Sequence, residues 1–97
     1  MNNVQKKYFI GLTHFLGSVL GPKYEVVFHS FDNKKAHMEA IANSHVSGRT
    51  LSSPLSSFGS SLLQDKVYLD KDFVFNYKAV ADSEKVIRGA TYFIKNG

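Results

Sequence analysis

Cysteine and tryptophan are absent from this 97-residue chain, and proline occurs only twice. Without cysteine there are no disulfides and no thiolate chemistry, and structural zinc loses its most frequent ligand. No apolar run is long enough to span a bilayer, and Lys6, Lys7 and His14 interrupt the first apolar segment, so no leader pattern opens the chain. The expectation is a cytoplasmic protein without a membrane partner. Charge is only mildly one-sided: 12 basic residues against 8 acidic ones give a net +4, and Lys6-Lys7 and Lys34-Lys35 are the only adjacent basic pairs. That is too little to name nucleic acid as a partner of this segment. A glycine-rich phosphate loop and a nucleophile elbow are also missing. The four histidines, His14, His29, His37 and His45, are not paired at helical ligand spacing. No metal, no cofactor and no catalytic residue is expected, and the chain reads as a non-enzyme.

What is present is a regular alternation of elements. From Val4 to Leu20, Tyr8, Leu12, Phe15, Leu16 and Val19 recur at the three-and-four spacing of an amphipathic helix, and Gly21-Pro22 stops it. Phe9, Ile10 and Leu20 lie on its other side, an apolar surface wider than one core contact requires, and pairing with a second copy of the helix would use the excess. Lys23 to Phe31, a turn over Asp32 to Lys35, and His37 to Asn43 read as a hairpin. Ser53 and Pro54 have the chemistry of a helix cap and first helical position, ahead of a stripe formed by Leu55, Phe58, Leu62 and Leu63. Gly59 weakens that second helix. Asp72 to Ala81 and Val86 to Lys95 form two more strands around the polar turn Asp82 to Lys85. Asn96-Gly97 is itself a tight-turn signal with no returning strand after it.

One junction concentrates polar chemistry. The strand ending Ile41-Ala42 runs into Asn43-Ser44-His45-Val46-Ser47-Gly48-Arg49, which offers amide, hydroxyl, imidazole and guanidinium groups in one turn. Arg49 carries the planar fork that matches a carboxylate or phosphate. Asn43 and His45 are equally suited to capping backbone groups at the strand end, and Tyr77 to a core ring with its hydroxyl at the rim.

Residues 41 to 49 resemble the Ile-Ala-Asn-Gly-His-Ile-Ser-Gly-Arg signature of the YheO-like family, a PAS-like domain of bacterial helix-turn-helix transcriptional regulators. The likeness extends through Leu20-Gly21-Pro22, Glu25-Val26-Val27-Phe28-His29, Ser53-Pro54-Leu55, Asn76-Tyr77, Ile87-Arg88 and Thr91-Tyr92-Phe93-Ile94, covering nearly the whole chain. Ser44 stands where that family usually has glycine, Thr50 to Ser57 is richer in serine, and Gly89-Ala90 replaces a serine pair.

The resemblance implies an α+β fold: one PAS-like domain over residues 1–97, with a curved antiparallel sheet, an N-terminal helix and a short helical segment after the second strand. It also implies a fifth, central strand, which would make the chain a fragment ending before it or leave the gap to be filled by a segment from elsewhere. The implied function is sensing of a small polar or anionic metabolite together with dimerisation through the N-terminal helix, with DNA contacted only by a separate helix-turn-helix region. The candidate ligand residues are Asn43, Ser44, His45, Ser47, Arg49, Tyr77, Arg88 and Thr91. The alternative is a ligand-free interaction module whose polar turn is structural.

Overall fold

The computed structural model describes residues 1–32, 35–53, 57–80 and 86–95. The chain forms two compact units, Met1–Leu55 and Ser56–Gly97. Both combine helix and antiparallel strand, as the α+β expectation requires.

In the first unit, helix α1 spans Asn3–Leu20, one residue more than the periodicity predicts. Asn2 and Gln5 account for its start. The Asn2 carboxamide oxygen accepts from the Gln5 amide at 2.8 Å, and the Gln5 side chain accepts from the Asn2 amide at 3.0 Å. This reciprocal box satisfies two of the donors that every helix N-terminus leaves open. At the other end Gly21 adopts φ 95°, and its amide closes onto the Gly17 carbonyl at 3.1 Å.

Strands β1 (Val26–Asp32) and β2 (Lys35–Ala42) pair antiparallel. Phe28 faces Ala40 and His29 faces Met38, which leaves Glu39 as an extra residue. A bulge of this kind puts neighbouring side chains on one side of the ladder. Glu39 thereby joins Ala40 on the α1 side, where its carboxylate accepts from the Ser30 hydroxyl at 2.7 Å and pairs with Lys6 of α1 at 3.5 Å.

Helix α1 packs on both strands, with Phe9 against Phe28 at a ring separation of 5.6 Å. Thr13 and Gly17 are its buried residues, and Phe28, Ala40 and Ser30 are buried beneath it. Thr13 contributes no stray donor, because its hydroxyl bonds back to the Phe9 carbonyl at 2.7 Å. The inward face of α1 is thus built from small residues plus Phe9. Tyr8, Phe15 and Val19, which set the helical periodicity, are 67%, 61% and 63% exposed. At about 100° per residue they fall on one stripe with Val4, roughly opposite Thr13 and Gly17.

In the second unit, helix α2 spans Ser57–Gln64 and precedes a 3-10 turn at Val67–Leu69 that the sequence pattern does not predict. Leu62 is its buried anchor. Pro54 and Leu55 of the expected helix start lie outside the described residues, as do the turns at 33–34 and 81–85 and the final Asn96-Gly97. Within the described residues Ser53 closes a local turn, its hydroxyl accepting from the Thr50 amide at 2.9 Å while its own amide donates to the Thr50 carbonyl.

Strands β3 (Phe73–Val80) and β4 (Val86–Tyr92) form the second antiparallel pair. Val74 faces Thr91 and Tyr77 faces Gly89, so two residues, Phe75 and Asn76, stand against Ala90. Asn76 absorbs this bulge with φ 56°, a left-handed conformation that asparagine tolerates better than most residues.

Candidate functional site

The Asn43–Arg49 segment folds as a compact turn of the first unit. Asn43 has left-handed backbone angles (φ 59°, ψ 46°), Ser44–Val46 is a 3-10 turn, and Gly48 at φ 76° completes the reversal with its amide on the Ser44 carbonyl at 2.8 Å. Left-handed angles at Asn43 swing its side chain out of the β2 ladder and under the end of α1. There the amide nitrogen donates towards the carbonyls of Gly17 (3.0 Å), Gly21 (3.0 Å) and Tyr24 (2.7 Å). Three carbonyl acceptors around one atom identify it as the nitrogen. Helix C-termini leave open acceptors, and here a residue some twenty positions downstream supplies the donor.

The next side chains of the turn reach the same segment. His45 Nε2 lies 2.6 Å from the Pro22 carbonyl, which fixes the proton on that nitrogen because a carbonyl can only accept. Ser47 gives both its hydroxyl (2.5 Å) and its amide (3.2 Å) to one Glu25 carboxylate oxygen. Asn43, His45 and Ser47 therefore clasp residues 17–25, joining the end of α1, the start of β1 and the end of β2. Ser44 is exposed. Arg49 is half-buried, its amide rests on the Ser47 hydroxyl at 3.3 Å, and its positive charge acts on His29.

His29 was not singled out by sequence reasoning. It lies on β1 between buried Phe28 and Ser30, so strand alternation turns it to the face away from α1, beside its cross-strand neighbour Met38. Its Nε2 is buried and has no hydrogen-bond partner. Burial, reinforced by the Arg49 charge, holds its pKa below the ordinary 6.5. Glu39 is also held below its ordinary 4.5, chiefly by the Ser30 hydroxyl, with Lys6 adding attraction.

Both shifts have the same consequence for stability. The unfolded chain binds protons more readily than the folded one at each group, so stability is greatest above about pH 6.5 and falls with acidification, first through His29 and then through Glu39. Urea titrations between pH 7.5 and 5 are expected to show a falling midpoint in the wild type. His29→Phe should flatten that first decline; an unchanged slope would mean that His29 is not kept neutral by the fold.

In the second unit Tyr77 and Thr91 meet: their hydroxyls are 3.0 Å apart, and the Tyr77 ring covers Gly89. A Cβ at Gly89 would come within 2.5 Å of that ring, so glycine gives the ring its seat. Arg88 belongs to the other face. It is exposed and donates to the Asn76 carboxamide oxygen at 2.8 Å. Lys95 similarly bridges the Lys71 carbonyl (3.0 Å) and the Asp72 carboxylate (3.2 Å). Among the described residues no helix is long and apolar enough to cross a membrane, and no cluster of His, Asp or Glu has metal-site geometry.

A helix laid on an antiparallel hairpin, a polar turn after the second strand, a short helix and a second hairpin together describe a PAS-type α+β domain. The model of one family, the YheO-like PAS domain, matches residues 3–97, and the chain belongs to that family. Comparisons with curated proteins and with solved structures gave no match.

Proposed function

We propose that this chain is the sensing and dimerisation domain of a cytoplasmic bacterial transcriptional regulator, binding a small polar or anionic metabolite. DNA would be contacted by a separate helix-turn-helix region. The observation that carries the sensing half is the way the 43–49 turn is built: a clasp to the end of α1 on one side and, on the other, a half-buried Arg49 whose charge acts on the unsatisfied His29. A ligand held at Arg49 would act on a turn already wired to α1. Such a ligand changes the regulator's state only by the difference between its affinities for two arrangements of the domain.

The dimerisation half is supported by the α1 stripe of Val4, Tyr8, Phe15 and Val19, exposed at 79%, 67%, 61% and 63%. Gly11 sits within that stripe with open space around it, so a second helix can approach closely there. Phe15→Glu is expected to convert dimer to monomer in sedimentation equilibrium without lowering the melting temperature of the monomer, since the side chain already faces solvent. A monomeric wild type at tens of micromolar would sink this half of the reading.

A second reading is a ligand-free interaction module. It is favoured by the commitment of Asn43, His45 and Ser47 to internal hydrogen bonds. A thermal-shift screen of amino acids, small carboxylates and neutral polar metabolites separates the two. Stabilisation by at least one compound, lost in Arg49→Ala, supports sensing. No stabilisation by any compound, with the dimer intact, supports the module.

A further inference from the structure

We propose that the outer face of the β3–β4 hairpin is a docking surface for an acidic amphipathic helix of a partner protein, a reading independent of the turn and of α1 in the first unit. The observation behind it is a strand pair that is apolar on both faces. Val74, Tyr77 and Thr91 are half-buried on one face. On the other, Phe73, Phe75 and Tyr92 are 53%, 70% and 71% exposed. They form one patch: Phe73 faces Tyr92 across the ladder, and the Phe73 and Phe75 rings lie 5.9 Å apart. Large rings clustered in water on a regular strand pair mark an interaction site, because the opposite face already supplies what the core needs.

Charge gives the chemistry of the occupant. Lys78 and Arg88 are cross-strand partners on this outer face, both exposed, and like charges placed opposite each other destabilise a sheet. Neither strand holds an aspartate or glutamate to offset them. The ion pairs among the described residues are Lys6–Glu39 and Lys95–Asp72, which leave Lys78 out, and Arg88 donates to the neutral Asn76 carboxamide. An anionic partner turns this repulsion into attraction. Spacing sets the partner's form. Along β3 the step from Phe73 to Lys78 is about 15 Å at the strand rise, the length of about ten helical residues. A two-stranded face is also about as wide as one helix, roughly 10 Å. The fit is a helix whose apolar stripe covers the rings and whose Asp or Glu side chains, about three turns along, reach Lys78 and Arg88. The two cations of these strands are too few to track a nucleic acid backbone, and a second copy of the hairpin brings more positive charge and no acid.

The test is selection on the full chain from a phage-displayed library of helical peptides, followed by polarisation titrations of the enriched peptides and amide NMR mapping on the wild type. Expected are sequences with Leu, Phe or Met in a stripe and Asp or Glu about three turns away. Their binding should shift the β3 and β4 amides and weaken as salt is raised. Phe75→Ser should weaken binding by about tenfold or more. Lys78→Glu combined with Arg88→Glu should do the same, and should restore binding to a peptide whose acidic residues are replaced by lysine. All three side chains face solvent, so the variants should melt near the wild type, and the NMR arm reads the wild type even if one of them misfolds. Enriched peptides without acidic residues would overturn the proposal, as would peptides indifferent to Phe75→Ser but lost with Phe15→Glu of α1. Tighter binding of oligothymidylate than of any selected peptide, self-association abolished by Phe75→Ser, or no enrichment at all would overturn it equally.

Discussion

Asn43→Ala is expected to destabilise the first unit by about 2–5 kcal/mol, the largest effect of any single side-chain truncation in the turn. Two contributions add. Hydrogen bonds of this type contribute about 0.5–1.5 kcal/mol each, and the Asn43 nitrogen has two protons to share among three carbonyls. Alanine also resists left-handed angles by roughly 1–2 kcal/mol, and residue 43 has φ 59°. Domains of this size are stable by only about 5–15 kcal/mol, so the midpoint of thermal unfolding should drop by about 10 °C or more. Two further substitutions separate the contributions. Asn43→Gly relieves the backbone term and should lie above alanine in stability. Asn43→Asp keeps the backbone tolerance but presents carboxylate oxygens to three carbonyl oxygens, and should be the least stable of the set at pH 7. A urea midpoint for Asn43→Ala indistinguishable from wild type would mean the clasp contributes nothing.

Gly17→Ala should also destabilise, by about 1–3 kcal/mol, although alanine is the better helix former by close to 1 kcal/mol. A Cβ at Gly17 would overlap the Ala42 Cβ of β2, well inside contact distance. Ala42 has no rotamer by which to yield, so α1 must lift from the hairpin, taking the Gly17 carbonyl away from Asn43. Gly11 provides the internal comparison, because a Cβ there meets nothing within 4 Å. Gly11→Ala in the monomer should be neutral or raise stability by up to about 1 kcal/mol. Equal effects at the two glycines would show that α1 does not sit against β2 as closely as described.

The order of elements was legible because each carries its own period. Four apolar turns marked α1, and β-branched and aromatic runs marked the strands to within a few residues. The capping box was readable too, since asparagine followed three residues later by glutamine is its signature at Asn2 and Gln5. The sequence reading grouped Arg88 with Thr91 in one candidate site, yet residues an odd number apart on a strand point to opposite faces, and only Thr91 shares a face with Tyr77. The inward face of α1 was harder. Large apolar residues dominated the pattern, whereas close approach to the hairpin selected Thr13 and Gly17. Two features lay beyond local sequence. Nothing near Asn43 indicates that its acceptors are at positions 17, 21 and 24, and nothing near His29 announces the Glu39 bulge that fixes it opposite Met38. Both depend on contacts between segments distant along the chain.

With a single nitrogen Asn43 holds the Gly17 carbonyl in the last turn of α1 and the Gly21 carbonyl at its C-cap. A piston stroke of the helix would carry one carbonyl out of reach as it brought the other closer, and the nitrogen cannot follow both. Displacement of α1 is therefore restricted to tilting about this pinned end, against the Lys6–Glu39 pair and the Phe9–Phe28 contact nearer its start.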